Sequence, residues 1–390
     1  MIVAGVMSGT SADGINVALV RITSGSGRSK RPRQNEFPRF QLVGHAEYPY
    51  PQPVRRAVLA SMNARSASVA DLSRLNFRLG ELYADAVLAT QKKFAQRAEL
   101  VGCHGQTLYH QGDPHGYLGQ RVAVTWQVGE GAIIAARVRT PVVSDFRPAD
   151  MAVGGKGAPL VPYLDYVFFR SQRLGRIVQN IGGIANLTAI PANAKPEQVV
   201  AFDTGPGNMV IDALVERLYG KPYDSGGRIA AKGKVLDRPL FSLLRHPFFS
   251  CTPPKTAGRE EFGREFVKRL LEQCRGSRKQ EIVATATALT AKSIADAVRR
   301  FVLPRAGSFQ ELIVSGGGAK NPTLLGMLRD ELSRLGLQIF LSDQFGLPGE
   351  AKEAVAFAIL AFQTWHQRPS NIPSATGAKR PAILGKISYA

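Results

Sequence analysis

The sequence predicts an α/β protein built as two halves of similar plan. Its 390 residues are enough for two domains. Each half opens with three strand-like runs and then alternates helices with strands. The loops richest in Gly and Asp fall at strand ends, where open α/β sheets bind ligands.

The first half is organised around the turn MSGTSADGIN, residues 7–16. It joins IVAGV (2–6) to VALVRI (17–22), two runs rich in β-branched residues that read as strands. Gly9 and Gly14 are expected to take positive φ and to admit a ligand closely. Ser8, Thr10 and Ser11, with bared backbone N–H groups, suit an anion. An ordinary Gly/Ser turn is the bland alternative. A third strand, FQLVGHAEY, starts at Phe40.

Residues 68–71 (SVAD) resemble a capping box before an amphipathic helix that runs to about Phe94. Its apolar residues Leu72, Leu75, Leu79, Leu82, Tyr83 and Ala86 share one face. ELVGCHGQT (99–107) reads as a strand ending in a polar turn. VAVTWQVG follows as a strand and EGAIIAARV as a short helix. Residues 140–162, TPVVSDFRPADMAVGGKGAPLVP, read as a strand running into a long Gly-rich loop, and loops that long are usually functional. A helix over about 160–170 closes this half.

RIVQNIGG, IANLTAI and VVAFDTGPGN open the second half as three strands. Helices follow over 209–219, 262–275 and 281–301. ELIVSGGGAKN is a buried strand entering a triple-Gly turn. Asn321-Pro322 then supplies an N-cap and a first-turn proline. LQIFLSD is the next strand, and 350–366 is a strongly apolar last helix.

Composition narrows the function. Cys103, Cys251 and Cys274 are the only cysteines, without CxxC spacing, which argues against a disulfide framework or structural zinc and for a reducing, cytoplasmic setting. No basic leader and no apolar run of about 18 residues is present, so neither a signal peptide nor a membrane span is expected. The formal net charge of +20 includes one cluster at Arg28, Lys30, Arg31, Arg33 and Arg39. No aromatic-interleaved basic platform accompanies it, so a generic basic surface is favoured over a specific nucleic-acid site.

Three Gly-rich turns, each after a strand-like run, carry the chemistry: GTSADG (9–14), DTGPGN (203–208) and SGGGAKN (315–321). Two phosphate-holding turns plus a third strand-to-helix turn suit a nucleotide held in an interdomain cleft. The helix after Gly207 would aim its dipole at a phosphate. Gly316, Gly317 and Gly318 leave room for a flat adenine against backbone.

MSGTSADG, HGQT, DFRPADMAVGGKGAPLVP, NIGGIANL, FDTGPGN, SGGGAKN, GLPGEAKEAVAFA and the closing ATGA resemble, in order, the motifs of anhydro-N-acetylmuramic acid kinases. The resemblance spans nearly the whole chain. It implies the actin, sugar-kinase and Hsp70 superfamily: duplicated ribonuclease-H-like domains around an ATP cleft. The expected lobes are 1–170, with the sugar and the first phosphate turn, and 171–390, with the second phosphate turn and adenosine. The last helix is expected to cross to the first lobe.

The resemblance implies ATP and Mg²⁺ as cofactors. The family opens a 1,6-anhydro wall sugar with water and phosphorylates O6. Asp203 matches the catalytic Asp; an N-cap is its bland alternative. ATP would meet Gly9, Thr10, Ser11, Ala12, Asp13, Gly14, Ile15, Asn16, Gly205, Gly207, Asn208, Gly316, Gly317, Gly318 and Asn321. Asp13 would reach Mg²⁺ through water, or merely shape its turn. The sugar would meet His104, Gln106, Arg147, Asp150 and Glu353. An Arg147–Asp150 pair that fixes the loop, and a solvated helix face at Glu353, are the structural alternatives. Asn16, Glu130 and Lys156 stand where many members carry Asp, Asn and Gln: Asn16 removes a charge that bears on metal or catalysis, and Glu130 and Lys156 bear on sugar preference. The partners are thus an anhydro sugar and ATP, with no membrane; a homodimer is compatible. The rivals are a levoglucosan kinase, a non-catalytic ATP-binding actin-like protein, and a nucleic-acid binder.

Overall fold

A computed structural model describes residues 1–23 and 39–390. Of the basic cluster, Arg28, Lys30, Arg31 and Arg33 lie outside the described residues. The chain divides into two compact units, Met1–Val167 with Ala351–Ala390, and Phe168–Glu350.

The first unit is built on β1 (Ile2–Ser8), β2 (Gly14–Thr23), β3 (Arg39–Pro49), β4 (Leu100–Tyr117), β5 (Gln120–Val128), β6 (Val142–Ser144) and, last in the chain, β12 (Lys386–Ser388). Their order is β12-β6-β4-β1-β2-β3, with β5 hairpinned onto β4. β1, β2 and β3 form an antiparallel meander; β4 and β6 add in parallel beyond β1. The second unit repeats this with β7 (Gly175–Ile181), β8 (Ile184–Ile190), β9 (Val200–Pro206), β10 (Phe309–Ser315) and β11 (Gln338–Leu341). Its order is β11-β10-β7-β8-β9. Here too a three-strand meander is extended by two parallel strands on the far side of its first strand. Both sheets are ribonuclease-H-like, as the family resemblance implied.

Local signals set the helix ends. The Val69–Phe94 helix starts where Ser68 accepts from the Asp71 N–H at 3.3 Å. Its buried face carries Leu75, Leu79, Tyr83 and Val87. The Pro322–Ser333 helix starts where Asn321 Oδ1 accepts from the Leu324 N–H at 3.0 Å.

Three expectations change. HGQT is not a turn: β4 runs on through Tyr117, and Gly105 (φ +77°) makes an irregularity inside it. The 140–162 loop contains a helix, Phe146–Ala152. In the opening turn the left-handed residue is Ala12 (φ +51°), not Gly9 or Gly14. Gly14 is needed for a different reason: a Cβ there would lie 2.3 Å from the Tyr48 carbonyl oxygen of β3.

The apolar Lys352–Trp365 helix is buried on almost every side and lies on β1 and β4 of the first unit. It comes so close that a Cβ on Gly5 would sit 1.8 Å from the Ala354 oxygen, and one on Gly102 2.2 Å from the Phe357 oxygen. At its first residue Lys352 Nζ meets Asp165 Oδ1 at 2.7 Å, both side chains 4% exposed. Such a pair matters chiefly because either charge alone would be buried without compensation.

Gly5→Ala should lower stability by at least about 1–3 kcal/mol through overpacking against this helix. Asp165→Ala should cost roughly 3–5 kcal/mol by stranding Lys352. Urea unfolding checks both, and unchanged midpoints would contradict this account of the contact.

Candidate active site

In the first unit the opening turn rests on a buried polar network. Ser8 Oγ donates to the Gly14 carbonyl at 3.0 Å and lies 2.7 Å from the Tyr50 hydroxyl, which lies 2.9 Å from that of Tyr83. Burial pushes Tyr50 up to about 12 and Tyr83 well above its ordinary value, so both hydroxyls stay protonated and bonded. Gln106 Nε2 donates to the Gly9 carbonyl at 3.1 Å. Thr10, Ser11 and Asp13 are exposed on this turn, whereas the Ala12 and Ile15 side chains point inward.

Gln106 is a brace for the turn: it is fully buried, and the β1–β4 register sets it opposite Ser8. Asp13 Oδ1 accepts from Arg55 at 3.2 Å, with the Asp13 side chain 71% exposed. Among the described residues no three His, Cys, Asp or Glu side chains gather as a metal cage. An exposed single carboxylate fits a hydrated Mg²⁺ that arrives with a nucleotide.

A second group gathers around the Phe146–Ala152 helix. His104 Nδ1 donates to the Gly105 carbonyl at 2.8 Å, which leaves Nε2 as an acceptor. Arg147 donates to that Nε2 from Nη2 at 2.8 Å and from Nε at 3.1 Å. Burial first, and the Arg147 charge second, hold His104 well below its ordinary value. His104 is thus neutral, and its ring lies 4.6 Å from that of Phe357. Arg147 Nη1 also donates to the Gly157 carbonyl at 2.7 Å. Burial brings Arg147 down to about 10, while the charges of Glu353 and Asp150 oppose that shift. Glu353 is reached by solvent, yet enough protein rings its carboxyl to raise its pKa; Arg147 and Lys352 pull the other way.

Asp150 is 0% exposed. Its oxygens accept from the Gly157 N–H at 2.8 Å, Asn371 Nδ2 at 2.7 Å and Thr376 Oγ1 at 2.8 Å. It locks the Gly-rich loop and the ATGA segment together. Arg147 does not pair with it; the two hold Gly157 from opposite ends.

The departures from the family pattern have partners as well. Asn16 Oδ1 lies 2.8 Å from His45 Nε2, and Lys156 Nζ lies 2.9 Å from Asp113 Oδ1. Glu130 caps the Gly131–Val138 helix at the Ala132 N–H and accepts from Asn76. His104, Trp126, Gln127, Glu130, Asp145 and Lys386 help to line a cavity of about 290 Å³.

In the second unit the Gly-rich turns meet at the end of β7. The N–H groups of Gly207 and Met209 donate to the Gly183 carbonyl at 2.9 and 3.1 Å, and that of Asn208 to the Gly182 carbonyl at 2.7 Å. These three amides are spent on the NIGG hairpin. A Cβ on Gly207 would lie 2.2 Å from the Gly182 oxygen. Gly318 has no room for a Cβ beside Ile181, whereas Gly317 is exposed and a Cβ there would lie 3.4 Å from Asn208 Nδ2. Asn321 is buried and committed to its helix cap.

Asp203 lies on β9 and does not cap the following helix, whose N-cap is Asn208. Its Oδ2 accepts from the Ala257 N–H at 2.8 Å, and its own N–H donates to the Lys255 carbonyl at 3.0 Å. Burial raises its carboxyl to about 6; the Ala257 amide and the Lys255 charge oppose the rise, and Glu260 adds to it. Lys255 and Ala257 escaped sequence reasoning. The PPK turn, residues 253–255, gave only a weak signal.

The family model for anhydro-N-acetylmuramic acid kinase matches residues 1–390. The chain belongs to this family. As such it is an ATP-dependent sugar kinase. Relatives named anhydro-N-acetylmuramic acid kinase include one from Bacillus cereus (strain Q1), 44% identical over 100% of this chain and 99% of the relative. Another, from Bacillus thuringiensis subsp. konkukian (strain 97-27), is 43% identical over the same shares. Among solved structures, the ROK hexokinase from Thermus thermophilus aligns with a TM-score of 0.40 at 12% identity, over 94% of this chain and 100% of that one. A likeness that distant carries no argument about ligands.

Asp150→Ala should lower thermal stability with no ligand present, by roughly 1–3 kcal/mol for the stranded donors. A sugar ligand would instead raise KM and leave the unliganded melting temperature unchanged.

Proposed function

We propose that this kinase opens the 1,6-anhydro ring of anhydro-N-acetylmuramic acid with water and phosphorylates O6 from ATP, giving N-acetylmuramic acid 6-phosphate. The setting would be wall-sugar recycling in the cytosol, in keeping with three free cysteines. The observation that carries the reading is Asp203: a β9 carboxylate raised to about 6, close to the pH at which a general base works best.

The atoms balance as follows. A water oxygen bonds to the anomeric carbon as its proton passes to Asp203. The bond from that carbon to the bridging oxygen breaks, and the bridging oxygen, now O6, takes the γ-phosphoryl group while ADP leaves. Asp203 is ionised above about pH 6, and its Oδ2 is already oriented by the Ala257 amide. Such a positioned base contributes roughly 10²–10⁴-fold. The remaining acceleration comes from in-line positioning and electrostatics.

The first unit would take the sugar and one set of phosphates; the second would take adenosine and the other phosphates. Exposed Thr10 and Ser11, on a turn braced by Gln106 and Ser8, supply hydroxyls and amides for phosphate. Mg²⁺ brought by ATP would neutralise phosphate charge, with Asp13 touching its waters. Arg147 uses three bonds on His104 and Gly157, so N–H groups remain for a lactyl carboxylate. Glu353, drawn toward the same guanidinium, would accept a sugar hydroxyl. The cavity beside His104 offers polar walls and the half-exposed Trp126 ring, a combination suited to a pyranose.

Asp203→Asn should keep ATP binding and lose at least about 100-fold in turnover. Wild-type kcat/KM should rise with pH through about 6, because only the ionised carboxylate accepts the proton. Near-normal turnover by the variant would rule out this base. In ¹⁸O-water the phosphosugar should carry label at C1 and none at O6, read by mass spectrometry; label at O6 would mean a different bond was cut. Levoglucosan assayed alongside separates a general anhydro-sugar kinase from one that needs the lactyl carboxylate: Arg147→Ala, which also loses the Gly157 brace, should impair a lactyl-bearing substrate more than levoglucosan.

A further inference from the structure

Lys255 is an anomaly in its segment. Residues 251–260 are otherwise exposed or half-buried, yet Lys255 is 8% exposed. Its ammonium donates to the Phe248 carbonyl at 3.1 Å and lies 4.6 Å from the Phe248 ring centre and 4.9 Å from that of Phe301. A cation is costly to bury, and a leucine or methionine would fill an aromatic slot at less expense. The position asks for what only a charge supplies.

The residues next to it supply the context. Lys255 offers its carbonyl to the Asp203 N–H, and two residues on the Ala257 N–H grips Asp203 Oδ2. The segment therefore holds Asp203 by backbone and by carboxylate together. We propose that Lys255 is a positioning residue for Asp203: its anchored ammonium pins the 255–257 segment against β9 and sets the charge field in which the carboxylate ionises. This rests on the reading of Asp203 as general base.

The surrounding charges fix the sign. Lys255 and the Ala257 amide favour the Asp203 anion, and Glu260 opposes it. Around Lys255 itself stand Cys251, Asp296 and Arg300. Lys255 is the cation that acts on the Asp203 carboxyl, while Arg300 is paired with Asp296. Removing that field makes Asp203 harder to ionise.

The test is Lys255→Met, with Lys255→Arg as the charge-conserving control. Asp203 is titrated directly by ¹³C carboxyl NMR, its signal identified by loss in Asp203→Asn, and kcat/KM is profiled against pH. In Lys255→Met the Asp203 midpoint and the acid limb of kcat/KM should both move up by roughly half a pH unit or more. Rates at the alkaline plateau should fall less than rates near pH 6. Lys255→Arg should restore most of the shift. An unmoved carboxyl titration in folded Lys255→Met, judged by circular dichroism, overturns the proposal even if activity drops. A titration that moves while the rate profile stays put upholds Lys255 and overturns the general-base reading. Should Lys255→Met fail to fold, Lys255→Arg and Lys255→Gln carry the same comparison, and equal midpoints in those two overturn the proposal.

Discussion

The contact between the Lys352–Trp365 helix and two bare strand positions, Gly5 and Gly102, is the constraint on which the first unit depends. Backbone meets backbone there, with no side chain between. That depth brings the Phe357 ring against His104. His104, kept neutral by burial and by its bond to the Gly105 carbonyl, receives Arg147. Arg147 and Asp150 then hold Gly157 at its carbonyl and its amide. The same helix begins with Lys352 on Asp165 and Glu353 within the influence of Arg147. A sheet-to-helix distance thus becomes a loop conformation and a charge arrangement.

The second unit solves a related problem with hairpins. The NIGG turn takes up the amides after Gly207, and the triple-Gly turn fits against Ile181. Glycine is required at Gly207 and Gly318 because backbone and Ile181 occupy the space a Cβ would take. Asp203 emerges beside this packing, raised by burial but held in a usable range by an amide and a cation. Two opposed influences of that kind set where a buried carboxylate titrates.

Polar residues were where the sequence left the partner undecided. Gln106 and Asp150 sit in segments rich in Gly and hydroxyls, which look alike whether they face a ligand or brace the loop that does. The difference lies in strand register and in distant partners. Ser8 stands opposite Gln106, and Asn371 and Thr376 come from more than two hundred residues beyond Asp150. The family departures follow suit: Asn16, Glu130 and Lys156 each have a protein partner that a linear pattern does not reveal.

What the sequence determined by itself was local or repeated. The strand runs, the Ser68 and Asn321 caps, the two like halves and the family were all legible, because periodicity, capping chemistry and ordered motifs need no knowledge of the far side of the molecule. Tertiary structure alone decided which glycines serve packing, which polar groups are spent inward, and that Lys255 stands by Asp203. Those depend on distances between segments remote in sequence, and burial, which sets both charge state and reach, exists only once the chain has folded.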